Sequence, residues 1–349
     1  MNSYQAHSDQ HHPEFEPFPM LKNGHLMTIA SSFWRRKFPL VKRTGTKRYF
    51  EVEPGSKVLC NMHWQEGNSR KQPTVLLFHG MEGSNESTYI LGTAEKALKR
   101  GMNVVRVNLR NCGGTEHLCP SLYHGGLSHD VLAIAQELKE RDGLCDLFLA
   151  GWSLGGNIVL KAVAELGAEA RHLFSGVCAV SPPIDLSSAV SHMERGVSRI
   201  YQRRFVRDLK TKLKIKNKLF PKRYNLKALK KITSIRDFDN HYTAPDAGFG
   251  TAANYYKMAS SLPLLKHIEI PTLIIHAQDD PLVPFHAYCA DDIFSPYVQL
   301  LAPKHGGHVA FIQKVAERER NLDRFWAENR VIEFCTELLK NHPNTLQQH

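Results

Sequence analysis

What most limits the folds open to this chain is a succession of short, mainly apolar runs separated by stretches with helical spacing. The runs are Thr74 to Phe78, Asn103 to Leu109, Leu147 to Ala150, Gly176 to Val180, Thr272 to Ala277 and Val298 to Leu301. Short runs with little polar alternation read as strands covered on both faces. Between them, Tyr89 to Lys99 and Val131 to Arg141 read as helices. Strands that alternate with helices imply a mostly parallel central sheet flanked by helices, with right-handed crossovers. Ahead of these runs, Lys47 to Val52 and Lys57 to Trp64 flank Pro54-Gly55 and read as a hairpin at the start of the sheet.

One strand end has a special form. The run Leu147 to Ala150 continues into Gly151-Trp152-Ser153-Leu154-Gly155, after which Asn157 to Ala164 reads as a helix. A serine between two glycines at a strand-to-helix turn is the spelling of a nucleophile elbow. The turn exposes the hydroxyl where a base can reach it, and backbone amides can meet a developing oxyanion.

The remaining parts of such a site follow in the required order. The Thr272 to Ala277 strand leads into Asp279-Asp280-Pro281, and the Val298 to Leu301 strand leads into His305-Gly306-Gly307-His308. Asp280 is expected to orient the base, with Asp279 as the fallback, and His308 is expected to be the base, with His305 as the alternative. The oxyanion is expected to meet the backbone N–H of Leu154 and that of Met81, in the His79-Gly80-Met81-Glu82-Gly83 loop after the Thr74 to Phe78 strand. His79 reads as a brace for that loop. The Asn111-Cys112-Gly113-Gly114 loop has neither dinucleotide-binding nor Walker spacing, and reads as a border of the active-site crevice. No cofactor site and no metal site are expected.

Charge is concentrated in one place. The chain of 349 residues has a formal charge of +11, yet Arg195 to Lys231 contains fifteen Lys/Arg and a single acid, so the rest of the chain is slightly acidic. This segment falls in a helical, charged stretch of about 184–265 between two strands, which reads as a cap or lid insertion rather than a second domain. Lys210, Lys212, Lys214, Lys216 and Lys218 alternate along it and suggest transient contact with an anionic membrane surface, or with an acidic partner. No recognition motif for nucleic acid accompanies the charge, and no nucleic acid is expected as a partner.

Residues 1–14 read as disordered, and 15–349 as one α/β domain carrying the cap. No signal peptide or apolar span is apparent, and the seven scattered cysteines read as free thiols, so a cytoplasmic protein is expected.

The motifs resemble those of the type 4 branch of the α/β-hydrolase superfamily, which includes YheT-like bacterial hydrolases, abhydrolase-domain lipases and ethyl-ester synthases. The resemblance runs from Leu21-Lys22-Asn23-Gly24-His25-Leu26-Met27-Thr28-Ile29 through the His79 to Ser84 loop with Tyr89, Arg106 to Gly114, Leu122 to Gly126 with Asp130, and the elbow through Asn157, to Asp279-Asp280-Pro281 and Gly306-Gly307-His308. It implies an α/β-hydrolase fold and a charge relay at Ser153, Asp280 and His308. Met81 and Asn111 stand where relatives often have Leu and Gly. The reaction expected is hydrolysis of a carboxylic ester, a small-molecule acyl ester of medium or short chain, through an acyl-enzyme on Ser153. Alcohol acyl transfer or thioester cleavage would use the same three residues. The alternative of another class is a protein whose basic cap binds a membrane surface or an acidic partner.

Overall fold

The computed structural model describes residues 14–290, 292–315 and 323–341. The expected disorder over 1–14 therefore lies, except for Glu14, outside the described residues. Eight strands form one sheet: β1 Gly45–Glu53, β2 Ser56–His63, β3 Thr74–Phe78, β4 Asn103–Val107, β5 Leu147–Trp152, β6 Gly176–Val180, β7 Thr272–Ile275 and β8 Val298–Leu301. Their spatial order is β1-β2-β4-β3-β5-β6-β7-β8. The hairpin β1–β2 is antiparallel and joins β4 in antiparallel fashion, whereas β4, β3, β5, β6, β7 and β8 run parallel.

The apolar runs become strands because both faces of the sheet are covered. Every residue of β3, β4, β5, β6 and β7 is buried. Side chains of alternating parity feed separate cores: Leu76, Phe78, Leu147 and Leu149 on one face, Val75, Leu77, Phe148 and Ala150 on the other. The helices Ser128–Asp142 and Leu154–Leu166 cover the first face, and Thr88–Lys99 and Trp326–Asn341 cover the second.

Register decides where the loops meet. Phe78 pairs with Gly151, and Trp152, Val180, Ile275 and Leu301 pair in turn across four neighbouring strands. The carboxyl ends of β3, β5, β6, β7 and β8 thus finish side by side, and the segments that follow them share one edge of the sheet.

No strand forms between β6 and β7. That stretch holds the helices Leu186–Met193, Arg199–Leu219 and Ala252–Ala259 with shorter turns, including a π-helical turn over Asp239–Thr243. Leu209, Leu213, Ile235, Tyr255 and Tyr256 are buried there and extend the first core. The alternating lysines do not behave alike, because they wind around a helix. Lys212 and Lys216 turn inward and are buried, while Lys214 and Lys218 face solvent. Among the described residues no helix is long and apolar enough to cross a membrane.

Candidate active site

Ser153 sits at the sharp turn between β5 and the Leu154–Leu166 helix, with φ 50° and ψ −122°. A non-glycine residue at positive φ is uncommon and costs about 1–3 kcal/mol, so the surroundings must impose it. They do: the Ser153 N–H donates to Val180 O at 2.8 Å, and the Asn157 N–H donates to Ser153 O. Close packing accounts for the flanking glycines. A Cβ on Gly155 would lie 2.5 Å from His79 O and 2.6 Å from Phe78 O, and one on Gly151 would collide with Gly155 O.

The loop after β8 brings His308 over this turn. Its Nε2 is 2.9 Å from Ser153 Oγ, and its Nδ1 is 2.8 Å from Asp280 Oδ2. Asp280, in the segment after β7, accepts through Oδ1 from the N–H groups of Leu282 at 2.8 Å and Val283 at 3.0 Å. Burial by itself would raise the Asp280 carboxyl, but the adjacent His308, His276 and the Val283 amide outweigh it and hold the group below its ordinary range. A carboxylate that stays ionised favours the imidazole tautomer with the proton on Nδ1, leaving Nε2 free to accept from the serine.

The two alternatives form a different pair. His305 Nδ1 lies 3.3 Å from Asp279 Oδ2, and Asp279 Oδ1 accepts from the Gly307 N–H at 2.9 Å. This pair shapes the loop that holds His308 and does not touch Ser153.

Neither the Met81 nor the Leu154 N–H donates to a loop or turn acceptor among the described residues, and both residues line the cleft beside Ser153. Leu154 opens its helix, so its amide has no intrahelical partner. His79 is a brace, as its position in the sequence implies: Nδ1 bonds to Gly80 O at 2.7 Å, and Nε2 accepts from the Leu109 N–H at 3.0 Å. Burial pushes its pKa down to about 4, in keeping with a neutral ring that donates on one side and accepts on the other. Tyr89 completes the brace by accepting from the Gly80 N–H.

Above the serine opens a narrow, mainly apolar cleft. Met81, Leu186, Val190, Phe205, Leu209 and Ile235 supply apolar wall, most of it from the region between β6 and β7. Such a cleft accepts an apolar chain with few polar partners. The Asn111-Cys112-Gly113-Gly114 loop, expected to border the crevice, does not line it. Asn111 Oδ1 instead accepts from Lys216 Nζ at 2.9 Å, and Cys112 Sγ lies 3.1 Å from Lys212 Nζ. Lys212 also pairs with Glu82 at 3.0 Å, so the two buried lysines fasten the long helix to the loops beneath it.

Two participants go beyond the site residues expected from the sequence. Thr28, in the helix Gly24–Phe33, accepts the His308 N–H through Oγ1 at 2.8 Å and donates to Gly24 O at 2.6 Å. Gly24 is the discoverable clue, because a Cβ there would land on the Asp279 carbonyl. Asp239 is the second, a buried carboxyl on the cleft wall that accepts from Tyr256 Oη at 2.7 Å.

Comparison with known proteins gives a consistent result. The family described as alpha/beta hydrolase fold matches residues 73–315. The protein named "Putative esterase YheT" of Escherichia coli (strain K12) is 33% identical over 331 residues, covering 94% of this chain and 94% of its own length. The Saccharomyces cerevisiae medium-chain fatty acid ethyl ester synthase/esterase 2 is 26% identical over 333 residues, covering 88% of this chain and 72% of its own. Among solved structures, the Pyrococcus furiosus esterase Pf2001 superposes with a TM-score of 0.55 at 16% identity, covering 95% of this chain and 98% of that one. The 2,6-dihydroxy-pseudo-oxynicotine hydrolase does so with a TM-score of 0.58 at 17% identity, covering 90% and 72%. Sheet order, elbow and sequence match agree, and the chain belongs to the α/β-hydrolase fold family.

Proposed function

We propose that this protein is a serine hydrolase of carboxylic esters, with Ser153 as nucleophile, His308 as general base and acid, and Asp280 as the group that orients and stabilises the imidazolium. The observation that supports it most directly is the unbroken hydrogen-bonded chain Asp280–His308–Ser153 at the floor of an apolar cleft. Ser153 Oγ attacks the ester carbonyl as its proton passes to His308 Nε2. The oxyanion is met by the Met81 and Leu154 amides. Collapse of the tetrahedral intermediate breaks the bond to the alcohol oxygen, which takes the proton from His308 and leaves an acyl-enzyme. Water then attacks, its proton goes to His308, and the acid is released as Ser153 recovers its hydrogen.

The cleft walls favour an aliphatic acyl group of short or medium length. Alcohol acyl transfer is the second reading, favoured by the ester synthase/esterase name of the yeast relative. It needs only an alcohol in place of water in the second step.

The test is a comparison of the wild type with Ser153→Ala. A fluorophosphonate probe is expected to label the wild type on Ser153 and leave the variant unlabelled. Hydrolysis across a panel of p-nitrophenyl esters is expected to fall by about 10⁶ in the variant. A wild type that neither reacts with the probe nor cleaves any ester of the panel overturns the reading.

A further inference from the structure

The described surface distributes its exposed large apolar side chains unevenly. Apart from Tyr49, each of them lies on the arm around the Gly24–Phe33 helix or in the region between β6 and β7. Leu26, Ile29 and Phe33 share one face of the arm helix, with Phe33 79% exposed. Val197 and Ile200, 60% and 62% exposed, stand at the start of the long helix Arg199–Leu219. The two elements are joined at that point: His25 stacks on Tyr201 with ring centroids 5.8 Å apart, and its Nδ1 is 3.2 Å from the Tyr201 hydroxyl.

The long helix has two faces of opposite character. Gln202, Val206, Leu209, Leu213 and Lys216 point inward and are buried. Arg199, Arg203, Arg207 and Lys214 are exposed and Lys210 is half-buried; at three- and four-residue spacing they form a basic stripe along one flank of the exposed side, beside Arg204 and Lys218, which lie opposite the buried residues. Twenty-one residues at 1.5 Å each make this a rod about 31 Å long, lying on the surface with its basic side out. Phe205 and Leu209 of the same helix line the cleft over Ser153.

We propose that the outward face of the Arg199–Leu219 helix and the exposed face of the Gly24–Phe33 helix form one docking surface for an anionic lipid bilayer. The cations meet the headgroups, and Leu26, Ile29, Phe33, Val197 and Ile200 enter the boundary between headgroups and acyl chains. Charge alone would suit an acidic protein or a nucleic acid equally. The flanking apolar side chains favour the bilayer, since it supplies both an anionic surface and an apolar layer beneath it. Docked in this way, the long helix lies between membrane and cleft, and on the reading of Ser153 as a nucleophile the bilayer becomes the source of acyl ester.

The experiment is cosedimentation of the full chain with phosphatidylcholine vesicles, with and without phosphatidylglycerol. Binding is expected only with phosphatidylglycerol, and it should weaken as salt is raised. Each cation removed near an anionic surface weakens binding roughly fivefold, so Arg203→Gln, Arg207→Gln and Lys214→Gln combined should cost about a hundredfold. Ile29→Ser with Phe33→Ser should weaken binding about tenfold or more while leaving its salt dependence intact. Both variants should hydrolyse a soluble p-nitrophenyl ester like the wild type, which shows that they fold. Ser153→Ala should bind vesicles as the wild type does, so failure of docking and failure of the hydrolase reading are told apart. Absence of binding to phosphatidylglycerol vesicles overturns the proposal. So does binding that neither set of substitutions changes, or affinity for duplex DNA or polyglutamate equal to that for vesicles and insensitive to the apolar substitutions.

Discussion

Ser153 has a backbone conformation that only its neighbours make tolerable, and Asp280 has an ionisation state that only its neighbours maintain. The Val180 carbonyl and the elbow glycines fix the serine at φ 50°, and His308, with His276 and the Val283 amide, keeps the aspartate charged despite its burial. An amide in place of that carboxylate keeps the shape and loses the charge. Asn can also present its NH2 to Nδ1, which favours the tautomer with the proton on Nε2, the wrong one for accepting from serine. Asp280→Asn is therefore expected to lower kcat for a p-nitrophenyl ester by about 10⁴ with the fold intact, as steady-state kinetics and circular dichroism would report. A loss of less than about tenfold would remove Asp280 from the role proposed for it. These residues were legible in the sequence because each follows a recognisable strand, and because Asp-Asp-Pro and Gly-Gly-His narrowed each choice to two neighbours. Which neighbour faces the serine was a matter of loop curvature: Asp279 turns toward His305 and the Gly307 amide, and Asp280 toward His308.

The helix Gly24–Phe33 is an element whose part in the site could not be read locally. Its sequence offers an N-cap, since the Asn23 side chain accepts from the Leu26 N–H, but nothing in it announces contact with a loop nearly three hundred residues away. Thr28 makes that contact, holding the backbone of His308 through its hydroxyl. We place Thr28 as a positioning residue. Thr28→Val should leave the His308 N–H without its acceptor and lower kcat by roughly ten- to a hundredfold with little change in KM, because small misplacements of a base are costly. Thr28→Ser, which retains the hydroxyl, should restore the rate, an outcome that a purely steric role for the residue would not produce. The long helix gives the converse lesson. Its alternating lysines read as a uniform basic strip, yet at 100° per residue they spread around the helix, and Lys212 and Lys216 end in buried contacts with Glu82, Cys112 and Asn111.

At the scale of the whole molecule, burying a carboxyl in the cleft wall ties stability to pH. Burial raises Asp239 to about 6, against the smaller opposing effects of Tyr256, Thr243 and Arg236. Its folded pKa stands above the unfolded value near 4, so between those values the native state binds more protons than the unfolded chain, and this group's contribution becomes less favourable as pH rises. The cost is absent below about pH 4 and complete above about pH 6, where it reaches at most about 3 kcal/mol. Asp239→Asn, which can still accept from Tyr256, should raise the urea midpoint at pH 8 and have a much smaller effect at pH 4. Equal effects at both values would mean that folding does not raise the Asp239 carboxyl. Taken alone, the sequence determined the sheet, its alternation with helices, the elbow and the order of the catalytic candidates, because these are set by periodicity and turn chemistry within a few residues. The tertiary structure decided which of the paired candidates meet, how the arm joins the site, which lysines are buried and what walls the cleft. Those depend on register across the strand ends and on packing between segments far apart in the chain, which no local pattern encodes.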